Sequence, residues 1–273
     1  MLSLVAASAL AGAAAARPQH VMSLNLCTDQ LLLDLLPPQR IVSLTFLARS
    51  PNDAVHWREA ATIAVNHGYA EEVLAARPDL VLAGTFTTAG TRQLLKQLGV
   101  PLVEVPPAGN FEEIRAVTRQ VARALDESDS GERLLANMDA TLHNLDEERS
   151  ERLIRVASWN GSGAVPGKGT LFDAILTAAG GVNIAASMHG LRSGSFDIEE
   201  LLVAHPDVLA YAAGNRAPAL REDTDQHPLI LKMYGHHRIS YPEALYSCGI
   251  PEAAQAAVAL RASLLAAMND GRP

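Results

Sequence analysis

Two cysteines, two tryptophans, five tyrosines and five phenylalanines are all that 273 residues carry of thiol and aromatic chemistry. So few cysteines exclude a small disulfide-built scaffold, which needs them densely. Charge is also sparse, at 19% of residues, and its balance is acidic, with a formal net charge of −8. No run of Lys or Arg is present to neutralise phosphates, which excludes nucleic acid as a partner. Hydrophobic residues make up 48% of the chain, a globular proportion that excludes extended disorder. The common catalytic signatures are missing: there is no G-x-S-x-G, no H-E-x-x-H and no G-x-G-x-x-G. The nearest approach, GSGAVPGKGT at Gly161–Thr170, fails as a phosphate loop because its glycine spacing is wrong and Gly169 stands where Ser or Thr would hold magnesium.

Long apolar runs are absent too. The longest, MLSLVAASALAGAAAA at residues 1–16, falls short of the roughly 20 residues that cross a bilayer. It reads as the apolar core and small-residue cleavage zone of a secretory signal, although no basic residue precedes it. The expectation is export to a periplasm with cleavage near Ala16, and no lipid anchor, because no cysteine ends the stretch. Cys27 and Cys248 stand near opposite ends of the chain. In an oxidising compartment they form a disulfide or remain separate thiols, and the residues leave both open.

What is present is alternation. Apolar β-branched runs at His20–Leu24, Ile41–Leu44, Leu80–Ala83 and Pro101–Val105 are separated by helical patterns at Thr28–Leu36, Ala70–Ala76 and Thr91–Leu98. A second set follows: strand Leu153–Ser158, helix Leu171–Ala179 ending at Gly180-Gly181, helix Ile198–Ala204 and strand Val208–Tyr211. Such alternation predicts parallel sheets covered by helices. Between the sets, after a break at Asp126–Ser130, Leu134, Leu135, Met138, Leu142 and Leu145 recur at helical spacing and predict one long amphipathic helix over Gly131–Arg149. A repeat joins the halves: AEEVLAARPDLVLAG at 70–84 and IEELLVAHPDVLAYA at 198–212 share Glu-Glu, Leu, Ala and Pro-Asp in register. The predicted fold is α/β, with two lobes, each a mainly parallel sheet with flanking helices, joined by one long α-helix around a cleft. The expected boundaries are 1–16 signal, 17–128 first lobe, 129–151 linking helix and 152–273 second lobe.

These segments, with RPQHVMSLNLCTDQLLLDLLPPQRIVSLT at the start and PGKGTLFDAILTAAGGVNIA in the second half, resemble the periplasmic cobalamin- and iron-siderophore-binding proteins, the class of ABC-importer binding proteins with a helical backbone. The resemblance covers essentially the whole mature chain. It implies capture of a metal chelate (cobalamin or another corrinoid, an iron siderophore, or haem), no permanently bound cofactor, a monomer, and delivery to an inner-membrane permease and its ATPase. It also implies that one glutamate per lobe docks into arginine pockets of the permease. By position these are Glu71 and Glu199, with Glu72 and Glu200 as neighbours one residue out of register. A carboxylate at a helix start is favoured by the helix dipole, and its pairing with Arg is strong and directional.

Loops after strands face the cleft in such folds. The candidates there are Cys27, Thr28, Phe46, Arg49, His67, Phe86, Trp159, Arg192, Tyr241 and Tyr246. Rings suit a large flat chelate, and the arginines suit anionic groups on it. His67, His189, His236 and His237 are the histidines with reach, but no pair has i, i+4 spacing and no carboxylate motif accompanies them, so a four-ligand zinc site is not expected. His236-His237 reads as a solvated turn. Cys27 as a separate thiol would be a soft ligand for the chelated metal. Two other readings stand beside the carrier: a periplasmic enzyme acting on a small metal complex or ester in the cleft, and a binder of free metal.

Overall fold

The computed structural model describes residues 17–148, 150, 152–159, 164–187, 193–195, 198–213 and 227–270. The apolar stretch 1–16, Arg192 and His189 lie outside them. The first sheet contains β1 (Val21–Ser23), β2 (Ile41–Thr45), β3 (Val65–Asn66), β4 (Leu80–Gly84) and β5 (Leu102–Val105) in the order β3-β2-β1-β4-β5. Every pairing in it is parallel. Around it lie α1 (Leu26–Leu35), α2 (Ala70–Ala76), α3 (Ala89–Gln97) and α4 (Phe111–Ala124). The long helix α5 (Ser128–Glu147) follows. The second half holds β6 (Ile154–Ser158), β7 (Ala164–Pro166), β8 (Gly181–Asn183), β9 (Ser193–Ser195), β10 (Val208–Ala213) and β11 (Arg238–Pro242). Its helices are α6 (Leu171–Ala178), α7 (Ile184–Ser187), α8 (Ile198–Ala204), α9 (Pro228–Tyr234), α10 (Ala244–Ser247) and α11 (Ala253–Asp270). The main sheet runs β11-β10-β6-β8, all parallel, and β7 pairs with β9 antiparallel.

Both faces of each sheet are buried, which is why the strands read as unbroken apolar runs. In the first lobe Leu31, Leu32, Leu44, Leu82 and Val121 close one face, and Met22, Val73, Val81 and Leu95 the other. In the second lobe Val156, Phe172, Ile175 and Leu260 close one face, and Trp159, Leu201, Leu209 and Ile230 the other. Truncating a fully buried leucine such as Leu32 to Ala costs about 2–5 kcal/mol at sites of this kind. Helix α4 starts where Asn110 accepts a hydrogen bond from the Glu113 N–H at 2.9 Å. It ends before Asp126, whose φ of 57° turns the chain into α5. The two helices approach so closely that a Cβ on Gly131 would stand 2.6 Å from the Ala122 Cβ. Helix α5 buries Leu135, Met138 and Leu145.

The repeat is structural as well as alphabetic. Both copies are helix, turn and strand, α2 to β4 and α8 to β10, and each turn places a left-handed residue before the proline: Arg77 at φ 51° and His205 at φ 45°. Each Pro-Asp then makes the same clasp. The Asp79 N–H donates to His20 O (2.9 Å) while its carboxylate accepts from the His20 N–H (3.0 Å). The Asp207 N–H donates to Arg155 O (2.7 Å) while its carboxylate accepts from the Arg155 N–H (2.8 Å). His20 and Arg155 each immediately precede, or stand within, the central strand beside β4 or β10, so the clasp fixes strand register in both lobes.

One feature adds to the expected architecture. A disulfide joins Cys27, on α1, to Cys248, with 5.1 Å between their Cα atoms. Cys248 and Ile250 are buried in the first lobe's core, although they follow β11 of the second. Gly249 allows this: a Cβ there would stand 2.2 Å from Ala108 O. The segment 247–250 therefore crosses back onto the first lobe, and α5 is not the sole connection between the halves.

Candidate functional site

The carboxyl ends of β1, β2, β3 and β4 meet the crossing segment around a cavity of about 320 Å³. Asn25, Cys27, Phe46, His67, Phe86 and Ser247 are among the residues lining it. Asn25 caps α1 by accepting from the Cys27 N–H at 3.0 Å, and it packs against Gly84, where a Cβ would come within 2.5 Å of its side chain. Below the floor, Asp29 is wholly buried and accepts the Thr45 N–H at 3.1 Å, tying the end of β2 to α1. Burial pushes its carboxyl up to about 7, against the lowering effect of its hydrogen bonds from Ser23 and Thr45. Asn66 knits three strands, its Nδ2 donating to Ser23 O, Ser43 Oγ and Leu44 O, each at 2.9 Å.

The rim carries a ladder of rings. Phe46 stacks on His67 with centroids 5.4 Å apart, and His67 on Tyr69 at 6.3 Å, both at 25° between planes. Phe46 is 52% exposed, Tyr69 61% and Phe86 85%. Phe46 and Phe86 line the cavity, and rings left this open offer apolar area to whatever enters it. The Glu72 carboxylate holds the ladder: it accepts the backbone N–H groups of His67 (2.9 Å) and Tyr69 (3.0 Å) and lies 3.1 Å from His67 Nδ1. Partial burial works upward on Glu72, but these donors outweigh it and keep the carboxyl below its ordinary value. A carboxylate at Nδ1 is the arrangement that orients histidine metal ligands, since in the tautomer with its proton on Nδ1 the ring would offer Nε2 as a lone-pair donor.

The other sequence candidates fall in different places. Cys27 lines the cavity, but as half of the disulfide it offers no thiol. Thr28 is buried and shares a 2.7 Å hydrogen bond with Ser23. Arg49 is exposed, yet its Nη2 donates to Ile63 O at 2.6 Å, which turns it toward its own lobe. Trp159, expected on the cleft, is 3% exposed and belongs to the second lobe's core. Tyr241 is likewise buried, sharing a 2.8 Å hydrogen bond with Ser158 and packing 4.4 Å from the Tyr246 ring centroid. Burial, ahead of every other influence, raises both phenols above the ordinary tyrosine range. Trp159, at the end of β6, and Tyr241, on β11, turn inward onto covered faces of the sheet, where apolar area is worth more buried than exposed, and Tyr246 on α10 packs half-buried against Tyr241. Tyr69 was missed by sequence reasoning; its spacing of two from His67 on an extended lead-in was the available signal. His236 is exposed in the turn after α9.

Glu71 and Glu199 are both exposed in the first turns of α2 and α8, and Glu72 is occupied by the ladder. A larger groove of about 560 Å³ lies where α4, α5 and α6 meet. Its polar groups are already committed: Arg115 pairs with Asp139 at 2.6 Å, and Asp173 accepts from the Gly169 N–H and Asn183 Nδ2. It offers a ligand few free contacts. Among the described residues no helix is long and apolar enough to cross a membrane.

Residues 21–230 match a family model described as periplasmic binding protein. No curated protein sequence matches. Solved structures share the fold. The periplasmic heme-binding protein RhuT from Roseiflexus sp. RS-1 in apo form is 22% identical, with TM-score 0.74, over 91% of this chain and 99% of that one. The periplasmic heme-binding protein HutB of Vibrio cholerae is 16% identical, with TM-score 0.76, over 90% and 98%. The periplasmic vitamin B12-binding protein BtuF of Vibrio cholerae is 17% identical, with TM-score 0.69, over 92% and 98%.

Proposed function

The chain belongs to the periplasmic binding protein family, and on that premise we propose that it is the substrate-binding subunit of an ABC importer for a flat metal chelate, haem foremost. The observation that carries this reading is the Phe46–His67–Tyr69 ladder with Glu72 behind the imidazole. Stacked rings bury the face of a planar macrocycle, and an imidazole with its Nε2 lone pair available supplies an axial ligand to the metal. Named heme binders among the proteins sharing the fold support haem, and the named vitamin B12 binder keeps corrinoids in the test. A siderophore, octahedral and without a flat face, uses such a ladder poorly.

In this reading residues 1–16 direct export and are removed near Ala16. The first lobe extends to 128, 129–151 links the halves, and 152–273 forms the second lobe. The mature protein captures its ligand as a monomer in the periplasm and performs no turnover. Glu71 and Glu199 dock the loaded protein onto the permease, whose ATPase drives transport. The test is an absorbance scan and a mass spectrum of what co-purifies with the chain from a native periplasm. A Soret band is the expected result; a corrinoid spectrum would replace haem with cobalamin, and a bound compound converted to product would replace the carrier with an enzyme.

A further inference from the structure

Outside the cleft, buried polar atoms gather without partners. Among the described residues seven buried side-chain nitrogen or oxygen atoms lack a hydrogen bond, and four of them belong to Gln30, Asp34, His56 and Glu252. Buried polar groups are nearly always satisfied, so their concentration here singles the place out. Gln30 and Asp34 are one turn apart on α1, and Gln30 Oε1 accepts the His56 N–H at 2.8 Å. His56 Nε2 lies 2.9 Å from Asp34 Oδ1 and 3.8 Å from Glu252 Oε1. The close approach to Asp34 is an ion pair out of line for a hydrogen bond, since Nε2 has no such partner. The Asp34 side chain is only 8% exposed, and its Oδ2 is one of the orphaned atoms.

We propose that Asp34, His56 and Glu252 form a divalent-cation site of the zinc type, with a water as the fourth ligand. One ligand atom from each of the three residues lies within 4.8 Å of the other two. Ligands bound to zinc at about 2.0–2.2 Å in a tetrahedron stand roughly 3.4 Å apart, and the observed 2.9 and 3.8 Å bracket that distance. A divalent cation would cancel the charge of the two carboxylates and bind the imidazole in its neutral form, taking the place of the proton that pairs it with Asp34. Thiolate sites are ruled out among the described residues because both cysteines are paired.

The site's place gives it a purpose. Cys27 and Asp34 are two turns apart on one face of α1, and Cys248, the partner of Cys27, stands on the crossing segment four residues before Glu252. The cation therefore clasps the same two segments as the disulfide, fixing the second lobe's return onto the first. None of its ligands lines the cleft cavity, so this inference stands or falls apart from the chelate reading.

The test uses the mature chain, stripped with a chelator, dialysed against Zn²⁺ and analysed by elemental mass spectrometry. One zinc per chain is expected, with a thermal midpoint raised by at least about 4 °C. Glu252→Gln and His56→Gln should each weaken zinc binding by about tenfold or more, while His236→Ala, on the exposed turn, should not. Absence of binding at micromolar zinc, or wild-type binding by both glutamine variants, would overturn the site. Should those variants fail to fold, anomalous scattering at the zinc edge from wild-type crystals decides: a peak between the three side chains supports the proposal, and a peak only elsewhere overturns it.

Discussion

The two lobes share a framework and differ in what they hang on it. In both, a helix ends in a left-handed residue before proline, and the following aspartate clasps the neighbouring strand through two hydrogen bonds. In the first lobe, the lead-in to that helix carries His67 and Tyr69, and the Glu72 side chain turns back to hold them. A difference between the lobes stands at the capped helices α1 and α6. Counting from the N-caps Asn25 and Thr170, the buried Asp29 of α1 corresponds to Ala174 of α6. The parts demanded by helix-on-sheet geometry are duplicated; the parts with ligand chemistry, among the described residues, belong to one side.

The largest effect should come from the proposed docking pair, one glutamate in each lobe. Glu71→Ala with Glu199→Ala is expected to abolish chelate uptake in cells while leaving affinity within about twofold, because surface substitutions seldom disturb a fold. Either single substitution should reduce uptake less, and uptake unchanged in the double variant would remove docking from the account. The disulfide comes next. Its two cysteines are 221 residues apart, and opening so long a loop by Cys27→Ser with Cys248→Ser should cost about 2–5 kcal/mol in denaturant unfolding. An unaltered midpoint would show that packing around Ile250 alone holds the crossing segment.

Asp29 predicts a pH response confined to the first lobe. Its folded pKa, about 7, lies above its ordinary value of 3.8, so the folded state binds the extra proton. Stability from this group is therefore greatest below about pH 4, falls as the pH rises toward 7 and levels beyond, by an amount on the order of 2–4 kcal/mol. Asp29→Asn should flatten that fall between pH 5 and pH 8 in urea titrations; a slope identical to wild type would place the titration elsewhere. Smallest and most symmetrical are the clasps. Asp79→Ala and Asp207→Ala should each cost about 1–3 kcal/mol, and a large inequality would mean that the repeat no longer does the same work in both halves.

Much of this was legible in the residues. The paired Pro-Asp units announced two lobes because a helix stop, a turn and a buried strand each need their own residue types in sequence. Helix α5 was legible from leucine spacing. The C-terminal helix α11 was not: Ala253, Ala254, Ala256 and Ala257 are all buried, so the helix shows little contrast between faces for periodicity to report. The site was half legible. Phe46, His67 and Phe86 follow strands and were found by that rule, but the rule also nominated Trp159 and Tyr241, which pack inward as core. No pattern in the chain joins Phe46 to Tyr69, or Asp34 to Glu252, because tertiary folding alone brings them together. The two cysteines left pairing open, and only the crossing segment, with Gly249 pressed on Ala108, resolves it.

The central claim is that an imidazole in an aromatic ladder captures a flat metal chelate, and an absorbance titration of the mature chain with haem tests it most directly. Saturable binding with a shifted Soret band is predicted, weakened by about a hundredfold in His67→Ala. A His67→Ala protein that binds haem with the affinity and spectrum of the wild type would contradict it.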